Sequence, residues 1–192
     1  TYAGVPASVA ELDDNDRHTL IKGDIRDVPL LDDILPGLDI VVHFAAESHV
    51  DRSIDCPLTF LETNVVGTGA LIDAARRARV PQFVHVSTDE VYGSIAEGFA
   101  DEASPLLPSS PYSASKAGSD LLALSYGATY DYPVIVTRCT NNYGPYQFPE
   151  KVIPLFVTNL LEGHKVPLYG DGRNERDWLH VDDHCAAIRL LI

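Results

Sequence analysis

The sequence has no methionine, one tryptophan and three cysteines among its 192 residues. Cys56, Cys139 and Cys185 are odd in number and widely spaced. That argues against a disulfide framework or a close-spaced zinc motif, and suits reduced thiols in a cytoplasmic protein. No apolar run approaches the roughly 20 residues that cross a bilayer, and no signal-peptide pattern is seen, so no membrane partner is expected. Basic residues are also scarce: 14 Lys plus Arg stand against 28 Asp plus Glu, for a formal charge of -14. Such a surface disfavours nucleic acid and anionic membranes as partners. It leaves room for a small anionic ligand, because a few local Arg or Lys residues suffice to build a basic pocket. With no Met at all and an opening Thr1-Tyr2-Ala3-Gly4, the chain reads as an internal piece of a longer protein.

What is present suffices for one domain with a sizeable core, since 45% of residues are hydrophobic. Residues 5–16 predict a short helix with Val9 and Leu12 inward, and Thr19-Leu20-Ile21 a short strand. A helical segment over 30–35 is closed by Pro36-Gly37. The near-continuous apolar run over 39–44 is the pattern of a strand covered on both faces. A polar loop over 45–55 leads into a long helix over 58–79, with Leu61, Val65, Ile72 and Ala75 on one stripe. Phe83-Val84-His85-Val86 is the next buried strand. A Pro/Ser-rich loop over 104–111 precedes a second long helix, 112–130, with Ala117, Leu121, Leu124 and Ala128 on one face. Val134-Ile135-Val136-Thr137 is a further strand. This alternation means an α/β fold with a parallel, doubly wound sheet. After Arg138 the rhythm breaks into a loop (141–151), a helix (152–162), an extended piece (166–169) and a Gly170-Asp171-Gly172 turn. A last extended piece, 177–181, precedes a helix that Asp182 can cap.

Ser87-Thr88-Asp89-Glu90-Val91-Tyr92-Gly93 lies where the 83–86 strand ends. Ligands of open α/β sheets sit beyond the carboxyl ends of the strands, so a hydroxyl and two adjacent carboxylates there are placed for chemistry. Taken alone, the heptapeptide reads equally well as a polar turn capped by Asp89 or Glu90. Tyr112 and Lys116, four apart at a helix start, share one face. An ammonium near a phenol stabilises the phenolate and lowers its pKa from about 10, making Tyr112 a usable base. His180 and His184 have the spacing of a helical metal pair, but no third ligand is evident and no metal site is expected.

Thr88, Tyr112 and Lys116 together resemble the Ser/Thr-Tyr-Lys set of the extended short-chain dehydrogenase/reductase superfamily. Glu47-Ser48-His49-Val50-Asp51-Arg52-Ser53-Ile54, Thr88-Asp89-Glu90, the run from Asn141-Asn142-Tyr143-Gly144-Pro145 to Lys151, and Arg176-Asp177-Trp178-Leu179-His180-Val181 resemble the dTDP-glucose 4,6-dehydratase family within it. The likeness runs essentially end to end. Epimerases of the superfamily share the Tyr and Lys but not the Asp-Glu pair.

The resemblance implies a partial NAD-binding Rossmann domain over residues 1–140 and the start of a smaller substrate-binding lobe over 141–192. It implies dehydration of dTDP-glucose to a 4-keto-6-deoxy product with NAD as hydride carrier. Tyr112 would take the C4 hydroxyl proton while Thr88 hydrogen-bonds that oxygen. Glu90 would remove the C5 proton, and Asp89 would protonate the departing C6 hydroxyl. Asp24 and Ile25 would flank the adenine, with Ala45, Ala46 and Ser48 lining the dinucleotide and Thr63 and Asn142 nearby. Tyr112 and Lys116 would meet its nicotinamide end. The nucleotide sugar would contact Ser48, Thr88, Asn141, Lys151, Val152, Pro167, Tyr169 and Arg176, with Lys151 and Arg176 balancing the diphosphate. A homodimer through the two long helices is also implied.

One departure stands out. The glycine-rich turn that holds a pyrophosphate between the first strand and first helix is absent from the sequence. The resemblance therefore implies that the first β-α-β unit is missing, and with it a central strand of the 3-2-1-4-5-6 order. This piece alone is expected to fold poorly and turn over nothing. A UDP-sugar 4,6-dehydratase, a nucleotide-sugar 4-epimerase and a catalytically silent nucleotide binder of Rossmann type remain as alternatives.

Overall fold

The computed structural model describes residues 2–192, which form two compact units. One comprises Ile21–Cys139, the other residues 2–20 with Thr140–Ile192.

The Ile21–Cys139 unit is built on a parallel sheet of β1 (Ile40–His43), β2 (Gln82–Thr88) and β3 (Val134–Cys139), in the order β1-β2-β3. Ile40 pairs with Gln82 and Phe83 with Val134. β2 is buried along almost its whole length, as a strand flanked on both edges must be. The helices are α1 (Val28–Ile34), α2 (Val50–Asp55), α3 (Pro57–Phe60), α4 (Thr68–Arg77) and α5 (Pro111–Tyr130), with a π-helical turn, Leu61–Gly67, between α3 and α4. Leu31, Leu71, Ile72, Phe83 and Ala123 lie at the centre of the apolar core. The parallel α/β reading holds.

Several local expectations do not. Thr19-Leu20-Ile21 forms no strand, because no strand among the described residues lies beside it to complete a ladder, and Leu20 and Ile21 are exposed. The 45–55 loop contains α2, whose start is capped by His49: its Nδ1 accepts from the Arg52 amide at 3.4 Å. Histidine is outside the usual capping set, so the signal is invisible in sequence. The 58–79 helix is real but changes pitch. The π turn inserts extra residues per turn and rotates the phase, so Leu61 is exposed while Asn64 and Gly67 are buried. On α5 the expected apolar face is inverted beyond Ala117. Leu121, Leu124 and Ala128 are exposed, whereas Tyr112, Ser115, Lys116, Ser119 and Asp120 are buried. This helix turns its polar chemistry inward.

In the second unit, a 3-10 helix spans Pro6–Leu12 with no buried residue, so neither Val9 nor Leu12 is inside as expected. β4 (Asn141–Tyr143) and β5 (Trp178–His180) pair in parallel, and α6 (Val152–Leu161) and α7 (Val181–Arg189) complete the unit. The cap of α7 is His180, whose Nδ1 accepts from the Asp182 amide at 3.3 Å; Asp182 itself lies inside the helix. Residues 166–169 belong to no sheet. Thr1 lies outside the described residues.

Candidate active site

The site begins with the first turn of α5. Ser110 Oγ accepts from the Ser113 amide and Ser113 Oγ from the Ser110 amide, both at 3.0 Å. This reciprocal cap, followed by Pro111 at the first helical position, fixes where the helix starts. Tyr112 and Lys116 then fall on its buried face, 8% and 4% exposed. The second part is the end of β2. Thr88 caps a 3-10 turn, Asp89–Tyr92: its Oγ1 accepts from the Glu90 amide at 3.2 Å and donates to Asp89 Oδ1 at 3.3 Å. The capping residue is thus Thr88, not either carboxylate. Gly93 leaves the turn at φ 77, where a Cβ would lie 2.2 Å from the Leu107 carbonyl, so only glycine fits.

The two parts bear on one another. The Tyr112 hydroxyl is raised well above the usual phenol value, by burial first and then by the Glu90 charge, with Asp89 adding to it; the neighbouring Thr88 hydroxyl opposes them. This corrects the expectation of a Tyr112 hydroxyl lowered by Lys116. The Lys116 ammonium donates to the Val86 carbonyl at 2.9 Å, and its own pKa is pulled down to about 8 by burial.

Behind this site lies a polar network almost without signal in the sequence. Asn64, in the π turn, donates to the Glu47 carbonyl at 2.9 Å and to Ser115 Oγ at 2.8 Å, and accepts from the Glu47 amide at 2.8 Å. Thr68 Oγ1 donates to the Asn64 carbonyl at 2.6 Å and contacts His43 Nε2 at 2.9 Å. Burial pulls His43 down to about 3, so it is neutral. Asp120 on α5 binds Arg138 on β3. The one sequence cue was serine at 115 and 119 with aspartate at 120, spaced onto the face of Tyr112 and Lys116.

The proposed cofactor residues of this unit come from the chain before α1, the chain after β1, the π turn and the first half of α5. Asp24 is exposed and held at about 2 by hydrogen bonds from the Arg26 side chain and amide. Ile25 leans on the π turn, where a Cβ on Gly67 would come within 2.6 Å of its Cδ1. Ala45, Ala46 and Ser48 follow β1 in irregular chain, and Thr63 is half-buried in the π turn. This donor set fits a dinucleotide: an ionised acceptor at Asp24, small side chains at 45 and 46 that permit close approach, and a buried ammonium. Among the described residues Lys116 makes one hydrogen bond, out of three it can donate, so donors are left for a ligand.

The remaining candidates belong to the second unit. Asn141 Nδ2 donates to the Asp177 carbonyl at 3.3 Å and Asn142 Nδ2 to the Thr140 carbonyl at 3.1 Å. Lys151 stands at the N-cap position of α6 and Val152 opens it. Pro167 and Tyr169 lie in exposed irregular chain. Arg176 is exposed, its Nη1 donating to the Glu175 carbonyl at 2.7 Å. Val152 also lines an open apolar hollow with Tyr143, Phe156 and Trp178.

A parallel sheet with Thr88 at the end of its central strand, and Tyr112 and Lys116 on the helix that follows, is the arrangement of the extended short-chain dehydrogenase/reductases. The family model described as GDP-mannose 4,6 dehydratase matches residues 4–192. A dTDP-glucose 4,6-dehydratase of Streptomyces antibioticus is 63% identical over 191 residues, spanning 100% of this chain and 56% of the relative. The crystal structure of DesIV, a dTDP-glucose 4,6-dehydratase from Streptomyces venezuelae with NAD bound, is 60% identical with a TM-score of 0.98. It covers all of this chain, which in turn covers 59% of it. That of the Bacillus anthracis dTDP-glucose 4,6-dehydratase in complex with NAD is 49% identical with a TM-score of 0.91, covering 100% of this chain and 60% of its own. The chain belongs to the GDP-mannose 4,6 dehydratase family. It spans less than two thirds of the length of these relatives.

Proposed function

We propose that the protein carrying this chain is an NAD-dependent lyase that dehydrates dTDP-glucose to dTDP-4-keto-6-deoxyglucose. The observation that carries the reading is that the turn capped by Thr88, with Asp89 and Glu90 in it, packs against the helix that buries Tyr112 and Lys116. A redox set and an elimination pair in one site are what two successive reactions on a single sugar require. The names of the similar dehydratases, two of them with NAD bound, support it.

NAD, held by Asp24, Ile25, Ala45, Ala46, Ser48, Thr63 and Lys116, with Asn142, supplies the hydride acceptor for C4 and the donor for C6. Thr88 hydrogen-bonds the C4 oxygen while Tyr112, as a phenolate, takes its proton; burial and the Glu90 charge disfavour that phenolate, so the positive charges of bound NAD and Lys116 must hold it. Lys116 orients the ribose. The 4-ketone acidifies the C5 proton, which Glu90 removes as Asp89 gives a proton to the leaving C6 hydroxyl. Adjacent carboxyls serve as base and acid when one holds the proton the other has shed. Ser48, Asn141, Lys151, Val152, Pro167, Tyr169 and Arg176 hold the nucleotide sugar. Residues 1–140 act as the partial cofactor domain and 141–192 as the start of the substrate lobe. We place the protein in the cytoplasm as a homodimer.

The test is the full reading frame assayed with dTDP-glucose beside UDP-glucose. A 4-keto-6-deoxy product from dTDP-glucose is expected. A preference for UDP-glucose, or a C4 epimer as product, would overturn the assignment. Asp89→Asn should lower dehydration at least about 100-fold; a full rate would remove Asp89 from the acid role.

A further inference from the structure

The 3-10 turn carrying Asp89 and Glu90 ends at Tyr92, and the phenol of Tyr92 is held from the sheet. Arg138, on β3, donates from Nη1 to Tyr92 Oη at 2.9 Å, with its guanidinium centre 5.2 Å from the ring centroid. The same guanidinium donates through Nε to Asp120 Oδ2 at 2.8 Å. Asp120 is fully buried. It lies four residues beyond Lys116, which lies four beyond Tyr112, so the three share one face of α5. The other Asp120 oxygen lies 3.4 Å from Nε2 of His85, on β2 three residues before Thr88. Burial by itself raises the Asp120 carboxyl, but its neighbours His85, Ser87 and Arg138 hold it below the usual range, Arg138 through a hydrogen bond. Burial keeps His85 neutral. The Asp120 charge is therefore matched by Arg138, whose side chain is 14% exposed.

We propose that Tyr92, Arg138 and Asp120 are positioning residues: a phenol–guanidinium–carboxylate brace that sets the distance between the Asp89–Glu90 turn and the Tyr112–Lys116 helix. The proposal rests on the reading of Asp89 and Glu90 as the elimination pair. The start of the turn is fixed by Thr88, and its middle by the buried Val91, whose carbonyl accepts from the Leu107 amide at 2.9 Å. The brace fixes its end, and ties that end to the helix bearing the redox pair. Tyr112 and Lys116 keep their places without it, because the Ser110–Ser113 cap sets the start of α5. Loosening the brace therefore displaces the carboxylates and spares the C4 oxidation. A misplacement of about 1 Å can cost roughly 100-fold in rate.

Tyr92→Phe removes the phenol oxygen and keeps the ring against Arg138. Arg138→Lys keeps the charge opposite Asp120 but cannot reach both partners. Each variant, in the full reading frame loaded with NAD, is followed through one turnover of dTDP-glucose by reduced-nicotinamide absorbance, and by hydrogen–deuterium exchange of the backbone. The absorbance is expected to appear no more slowly than in the parent, since moving the Glu90 charge away can only lower Tyr112, and to decay at least about 10-fold more slowly, with faster exchange confined to residues 87–93. Decay at the parent rate overturns the proposal. So does equal slowing of both phases, or exchange rising across the whole sheet, since a merely structural role produces those. A parent protein that forms no reduced nicotinamide at all overturns the proposed function, and the brace with it.

Discussion

Burial pulls the Lys116 ammonium down to about 8, a penalty of roughly 3 kcal/mol for carrying the charge in the folded state. Between about pH 8 and 10.5 the unfolded chain binds more protons at this position than the folded one. Stability contributed here is full above 10.5 and is lost as pH falls through 8. Lys116→Met should therefore abolish turnover while raising stability at pH 7 by about 1–2 kcal/mol, the lost hydrogen bond to Val86 taking back roughly 1. The gain in urea midpoint should shrink as pH climbs past 8. A variant less stable than the parent at pH 7 would show that the ammonium carries no such penalty. At this scale the sequence was most informative where chemistry imposes spacing. Tyr112, Lys116 and the Thr88-Asp89-Glu90 triplet were legible because a helix turn and a strand end dictate where such groups must sit. Asp120, Arg138 and Tyr92 were not, because their pairing joins a helix, a strand and a turn far apart in sequence.

Among the elements, the π turn shows how a regular period misleads. A stripe drawn at 3.6 residues per turn through 58–79 puts Leu61 inside, and the structure puts Asn64 there. The wider turn is tolerated because Thr68 Oγ1 satisfies the Asn64 carbonyl and the Asn64 side chain ties the turn to the Glu47 backbone and to Ser115. Such turns recur at functional sites, and this one anchors the loop that contains Ala45, Ala46 and Ser48. Asn64→Leu keeps the volume but strips both Glu47 backbone groups of their partner. It should cost about 2–4 kcal/mol in urea unfolding and weaken NAD binding about 10-fold by freeing the loop, as read by titration of the full-length protein. Lost stability with unchanged NAD affinity would separate the turn from the cofactor loop. α5 was misread for a related reason. Apolar residues were assumed to face inward, but its buried face is polar and internally hydrogen-bonded, an arrangement no count of hydrophobic side chains detects.

For the whole molecule, that inversion becomes the argument for association. Leu121 and Leu124 on α5 are 59% and 45% exposed, and Leu61 and Val66 in the π turn packed against it are 44% and 58% exposed. Single exposed leucines are ordinary, whereas grouped ones mark a surface that something covers. The stripe was visible in the sequence, but nothing there told which side of the helix the sheet takes. With the sheet on the polar side, the apolar side is left for a second copy, the occupant proposed above. Replacing Leu121 and Leu124 together by Glu changes no core contact, so the monomer should lose little, under about 1 kcal/mol. Two carboxylates per copy at a self-facing patch would meet their own mates across the two-fold axis, unpaired and desolvated. Sedimentation of the full reading frame should show a dimer for the parent and a folded monomer for the double variant, with NAD still bound. A double variant that sediments as the parent does would place the interface on another face of the molecule, and leave the exposed leucines of α5 to be covered by the rest of its own chain.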